Sequence, residues 1–176
     1  MEDECILITG GAGYIGSHAT LAFQDDGYRP IVIDNLASGL RQAVPKGLTF
    51  IEGDAGDQRL VQFIIEENDV KAVVHFAGSV VAPDSVSDPL KYYANNTCVS
   101  RNLIEVCIRT GVRHFIFSST ALVYGPNNKM PLREDSLTSP INPYGTSKLM
   151  TEWILRDTAE SNNINYAALA VDPFSS

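Results

Sequence analysis

Short apolar runs alternate along this chain with segments whose apolar residues recur every three or four positions. Cys5-Ile6-Leu7-Ile8-Thr9 is an unbroken apolar run ending in glycines, which predicts a buried strand. Residues 14–26 read as a helix closed by Gly27. Pro30-Ile31-Val32-Ile33-Asp34 reads as the second strand and residues 48–51 as the third. Leu60, Val61, Phe63, Ile64 and Ile65 mark a helical stripe within residues 59–68. Further strands follow at residues 72–76, 114–118 and 166–171. A long helix is expected over residues 90–110, stopped by Gly111, and another from Pro143 to about residue 160, with proline as its first residue.

Strands buried on both faces and separated by helices predict a parallel sheet with right-handed crossovers. The expected fold class is therefore α/β, a doubly wound parallel sheet, in one domain spanning residues 1–176. Residues 124–142 form a long loop with Pro126, Asn127-Asn128, Pro131 and Pro140, in the position where this architecture often carries its site.

Composition narrows the function. Apolar residues make up 44% of the 176, enough for a packed core. With 13 Lys and Arg against 21 Asp and Glu, the net charge is −8, so a nucleic-acid partner is not expected. A single nucleotide held by backbone amides remains compatible with that charge. The acidic start Met1-Glu2-Asp3-Glu4 lacks the basic and apolar regions of a signal peptide, and no apolar run is long enough to span a membrane. Cys5, Cys98 and Cys107 are read as buried thiols, which points to a reducing cytoplasm. No metal site is expected.

Thr9-Gly10-Gly11-Ala12-Gly13-Tyr14-Ile15-Gly16 lies between the first strand and the first helix. It fits Gly-x-x-Gly-x-x-Gly from Gly10, Gly13 and Gly16, and equally Gly-x-Gly-x-x-Gly from Gly11. Either way, glycines permit a tight turn and close approach to a pyrophosphate, which the helix N-terminus stabilises. Gly16 is expected to let the helix pack against the sheet. Asp34 ends the second strand about 20 residues further on, where a carboxylate accepts hydrogen bonds from ribose hydroxyls. It would repel a 2′-phosphate, and no basic residue follows until Arg41, so the expected cofactor is NAD rather than NADP.

Tyr144 and Lys148 share one face of the last helix at i and i+4. A free tyrosine has a pKa near ~10, and a neighbouring ammonium favours its phenolate. Tyr144 is thereby the candidate base for an alcohol or sugar hydroxyl. Ser118-Ser119-Thr120 ends the fifth strand and offers a hydroxyl to the reacting oxygen.

These motifs are joined in order by Gly53-Asp54, His75-Phe76-Ala77-Gly78, Tyr92-Tyr93-Ala94-Asn95-Asn96 and Val123-Tyr124-Gly125. Together they resemble the extended short-chain dehydrogenase/reductases, most closely the UDP-glucose 4-epimerases, over residues 5–169. The resemblance implies a Rossmann-like NAD-binding domain. In it Tyr14 and Ile15 cover the pyrophosphate, Asp34 and Asn35 hold the ribose, and Asp54 and Ala55 flank the adenine. Phe76, Ala77 and Gly78 line the nicotinamide half, Asn95 supports that wall, and Thr120, Tyr144 and Lys148 form the catalytic set. The implied reaction interconverts UDP-glucose and UDP-galactose. Tyr144 takes the 4-hydroxyl proton while hydride passes to NAD, the 4-keto sugar turns over, and hydride returns to its other face. The resemblance also implies a homodimer through helices matching residues 90–110 and 144–160.

Three departures stand out. Val80 occupies a position where the family often has Lys, and Thr120 replaces the usual Ser. Where the sixth strand usually leads into Arg-Tyr-Phe-Asn, this chain reads Ala168-Leu169-Ala170-Val171-Asp172-Pro173-Phe174-Ser175-Ser176. The expectation is a C-terminally truncated member without most of the sugar-nucleotide domain. A 4,6-dehydratase is disfavoured, because Ala121-Leu122 follows Thr120 in place of an Asp-Glu pair. A non-catalytic NAD-binding module is the alternative reading.

Overall fold

A computed structural model describes residues 4–126 and 130–171. The expected acidic start at residues 1–3, the Asn127-Asn128 pair and the altered segment from Asp172 onward lie outside the described residues.

Six parallel strands form one sheet: β1 (Cys5–Thr9), β2 (Arg29–Asp34), β3 (Thr49–Glu52), β4 (Ala72–His75), β5 (His114–Thr120) and β6 (Asn165–Val171). Their spatial order is β3-β2-β1-β4-β5-β6, the Rossmann-like arrangement with a reversal of strand order between β1 and β4. Ligands in such sheets bind in the crevice outside the carboxyl ends of the strands at that reversal.

The helices are α1 (Tyr14–Asp25), α2 (Gln58–Asn68), α3 (Ala82–Ser87), α4 (Pro89–Tyr92), α5 (Val99–Thr110) and α6 (Pro143–Ser161). Local chemistry sets their ends. Asp57 caps α2 by accepting from the Arg59 and Leu60 amides. Asn142 caps α6 by accepting from Gly145 N–H, with Pro143 in the first turn. Gly111 ends α5 at φ +79°, as its position predicts.

The alternation of strand side chains divides the core. Leu7, Ile31, Ile33, Val73, Phe115 and Phe117 pack with Val61 and Ile64 of α2, Leu103 of α5 and Leu155 of α6. Ile6, Ile8 and Val74 face the other way, against Phe23 of α1. Among the described residues, no helix is long and apolar enough to cross a membrane, and no group of three or more His, Cys, Asp and Glu could hold a metal ion.

Several expectations change. The helix over residues 90–110 is three pieces: α4 and α5 flank a π-helical segment at Tyr93–Cys98. The edge strands are not buried on both faces, because β3 is half-exposed and β6 is largely exposed; a sheet covers its centre first. Phe63 of the α2 stripe faces solvent, leaving Val61, Ile64 and Ile65 to bury that helix. Cys98 is exposed on the π segment, while Cys5 and Cys107 are buried; all three are free thiols.

Candidate active site

The glycine turn lies at the carboxyl end of β1, against the end of β4. Gly10 has φ +70°, and a Cβ there would stand 2.5 Å from Ala77 N, inside the backbone that follows β4. Gly11 is crowded by Val32, and a Cβ on Gly16 would collide with the Gly10 carbonyl oxygen. Gly16 therefore lets α1 close onto its own turn rather than onto the sheet. Gly13 is the N-cap of α1 and supplies no capping side chain. The first helical bond runs from Ser17 N–H to Gly13, so the Tyr14, Ile15 and Gly16 amides precede the helical ladder. An uncapped helix start above a turn stripped of side chains fits a pyrophosphate. Tyr14, 82% exposed, and Ile15 flank this start on the solvent side.

Asp34 is pinned at the end of β2. Its Oδ2 accepts from Ala12 N–H at 3.0 Å and its Oδ1 from Leu36 N–H at 2.8 Å, where Leu36 is held at φ +57°. The carboxylate is thereby tied to the glycine turn, with lone pairs left for ribose hydroxyls. Asn35 and Asp54 are exposed and close local turns, accepting from the Ala37 and Gly56 amides. Ala55 is buried, just ahead of α2 in the chain.

Phe76-Ala77-Gly78 leaves β4 beside the turn. Ala77 N–H donates to Thr9 Oγ1 at 3.3 Å. Gly78 has φ +153°, and a Cβ there would meet Asn96 Oδ1 at 2.8 Å. Asn95 donates to Ser79 Oγ at 3.1 Å, consistent with a supporting place in this wall. The larger share falls to Asn96, which the motif reading passed over. Its Oδ1 accepts from Ser79 N–H at 2.7 Å, and its Nδ2 donates to Ser79 O and, at 2.9 Å, to Ser147 Oγ of α6. The Asn-Asn pair was a visible signal, but which of the two turns inward depends on the π segment.

Thr120 ends β5, Tyr144 lies in the first turn of α6, and Lys148 follows one turn later; all three are buried. The Thr120 side chain hydrogen-bonds the Tyr144 phenol. Lys148 Nζ donates to the Ser118 carbonyl at 3.0 Å and sits 4.9 Å from the centre of the Phe117 ring. Burial lowers the Lys148 pKa to about 8. Burial also raises the Tyr144 phenol, and the Thr120 bond only opposes it. The expected lowering of the phenol by Lys148 is therefore not what this arrangement gives: the ammonium is turned toward Ser118 and is itself desolvated.

Two further contacts involve Tyr92 and Ser119, residues of the quoted motifs to which the sequence reading gave no role of their own. The buried Tyr92 ring meets Tyr144 edge-on, with centroids 6.3 Å apart, and its hydroxyl donates to Val81 O at 2.5 Å. Ser119 hydrogen-bonds Glu152, whose carboxyl burial pushes up. Val80 projects into solvent beside the wall.

Residues 6–172 match the NAD dependent epimerase/dehydratase family. A UDP-glucose 4-epimerase of Azospirillum brasilense is 48% identical over 93% of this chain and 47% of its own length. The crystal structure of a Brucella ovis UDP-glucose 4-epimerase in complex with NAD superposes with a TM-score of 0.92 at 40% identity, covering 95% of this chain and 51% of that one. A Thermotoga maritima UDP-glucose 4-epimerase with UDP-glucose gives 0.90 at 36% identity, over 94% and 54%. The chain thus spans about half the length of the relatives it matches. On this match and on the order and geometry of its site, the chain belongs to the NAD dependent epimerase/dehydratase family.

Proposed function

We propose that this chain is the NAD-binding domain of a UDP-hexose 4-epimerase acting on UDP-glucose and UDP-galactose. The observation that carries the reading is the meeting, at one sheet edge, of the uncapped glycine turn, the pinned Asp34 and the Thr120-Tyr144-Lys148 set. The relatives named above are UDP-glucose 4-epimerases, which supports the choice of sugar nucleotide.

Gly10, Gly13, Tyr14, Ile15 and Gly16 are assigned to the pyrophosphate, Asp34 and Asn35 to the ribose, and Asp54 and Ala55 to the adenine. Phe76, Ala77, Gly78 and Asn95 are assigned to the nicotinamide wall, with Tyr144 and Lys148 at its open side. When bound, NAD supplies a reversible hydride acceptor. Tyr144 Oη is the group that takes and returns the proton of the sugar 4-hydroxyl. Its buried phenol keeps its proton readily, so withdrawing a proton calls for positive charge nearby, and with the Lys148 ammonium held at Ser118 a bound nicotinamide ring would add to it. Thr120 Oγ1 steadies the same sugar oxygen.

A homodimer over α5 and α6 is part of the reading, supported by the apolar groove that Ile104, Ile108 and Ile154 line between these helices. A reducing, cytoplasmic setting suits the three free thiols. The test is calorimetry with NAD followed by a coupled UDP-galactose assay on the same sample. NAD binding with little or no conversion is expected of these 176 residues, which span about half the length of the relatives. Robust conversion would show that the sugar nucleotide needs nothing beyond them, and no NAD binding would overturn the reading.

A further inference from the structure

Beneath the cleft runs a chain of buried hydrogen bonds that the assignments above do not use. His75, the last residue of β4, is fully buried. Its Nδ1 lies 2.6 Å from Thr9 Oγ1 and its Nε2 lies 2.8 Å from Ser100 Oγ. The Ser100 hydroxyl donates its single proton to the Asn96 carbonyl at 2.5 Å, so its oxygen can only accept from the imidazole. That assigns the ring the Nε2–H tautomer, and Nδ1 accepts from the Thr9 hydroxyl. Thr9 Oγ1 in turn accepts from Ala77 N–H. At the other end, Asn96 lies in the π-helical segment and its side chain holds both Ser79 and Ser147.

We infer that His75 is a positioning residue: its neutral imidazole bridges Thr9 to Ser100 and so fixes the spacing between the cleft wall at Ala77 to Ser79 and the helix that carries Tyr144 and Lys148. Three strands and one helix meet at this ring. Thr9 belongs to β1, His75 to β4 and Ser100 to α5, and the ring stacks on Phe117 of β5 at 5.8 Å and 27°. Asn96 extends the chain to Ser147 of α6. Phe117 also lies under the Lys148 ammonium. Burial, with the Lys148 charge adding to it, holds the His75 pKa down to about 3, so the ring stays neutral at working pH. An ordinary core histidine would affect the fold evenly. This one is bonded toward both sides of the cleft, so its loss should be felt at Ala77 and Ser79 before it is felt in the sheet.

The test compares the full chain with His75→Phe, which removes both bonds, and His75→Gln, which keeps an acceptor and a donor. Nitrogen-15 NMR of the ligand-free protein should show one Nε2–H tautomer; an Nδ1–H or charged ring would overturn the proposal. Hydrogen exchange at the Ala77 and Ser79 amides should rise about tenfold in the Phe variant relative to the β1 and β4 amides, and Gln should restore most of it. Equal acceleration across sheet and wall, or none, would overturn it. Where the Phe variant does not fold, Thr9→Val and Ser100→Ala each remove one end of the bridge and are held to the same standard. The last arm rests on the proposed function: NAD should bind about tenfold more weakly to the Phe variant and within about threefold of normal to the Gln variant. A wild-type chain that fails to bind NAD would sink the cofactor reading, while the NMR and exchange results would still decide His75.

Discussion

Lys148 Nζ lies 3.0 Å from the Ser118 carbonyl oxygen, so the buried ammonium is fastened to the strand whose end presents Thr120. Its pKa of about 8 lies below the ordinary 10.5. The unfolded chain therefore binds more protons between those two values, and the Lys148 contribution makes stability rise with pH across that window. Below about 8 the penalty for the buried charge is fully present; above 10.5 it is gone. Tyr144 and Cys107, both raised by burial, act in the opposite sense in overlapping ranges. The informative quantity is thus the difference between the wild type and Lys148→Met. Relative to the variant, the wild type should gain on the order of 3 kcal/mol from pH 8 to 10.5 in denaturant melts. A constant difference across that range would show that the ammonium is not desolvated.

Tyr144→Phe removes the phenol oxygen and keeps the ring that Tyr92 packs against. In an epimerase built on this domain, as proposed, turnover should fall by about 10² to 10⁴, the usual contribution of a positioned acid or base. NAD affinity and melting temperature should stay close to those of the wild type. A coupled assay and calorimetry on the same preparation check both. Turnover comparable to the wild type would remove Tyr144 from the proton transfer.

Gly10 and Gly111 both have positive φ, but only Gly10 has backbone where a Cβ would go. Gly111→Ala should cost about 1 kcal/mol, the conformational term alone. Gly10→Ala adds the overlap with Ala77 and should cost more than about 2 kcal/mol, with loss of NAD binding. Chemical denaturation of the two variants side by side separates strain from collision.

Asp34→Asn keeps the shape of the side chain and removes its charge. The charge-assisted bonds to Ala12 and Leu36 weaken, and the repulsion toward a 2′-phosphate is lost. NAD should bind about tenfold more weakly, and the preference for NAD over NADP should shrink. Titrating both dinucleotides into both proteins measures the change. An unaltered preference would remove the Asp34 charge from cofactor selection.

The sequence by itself determined the strands, the glycine turn, Asp34 and the Tyr144-Lys148 pair, because these depend on local rules. Uninterrupted apolar runs favour strands, glycine is favoured at a positive φ such as that of Gly10, and i and i+4 share a helix face. The wide turn at Tyr93–Cys98 obeys no such rule, and it brings Asn96 onto Ser79 and Ser147. The ionic character of the site was equally beyond local reading. Tyr144 and Lys148 are neighbours in any helix, but only the packed structure decided that both would be desolvated and that the ammonium would turn to Ser118. Exposure of Phe63 and Cys98 follows the same logic: periodicity marks an apolar residue, while the elements packed around it settle whether it is covered. His75 shows the limit most clearly. It stood in the His75-Phe76-Ala77-Gly78 motif without an assigned role, because its partners lie 66 and 25 residues away. Burial and long-range hydrogen bonding exist only once the sheet has closed.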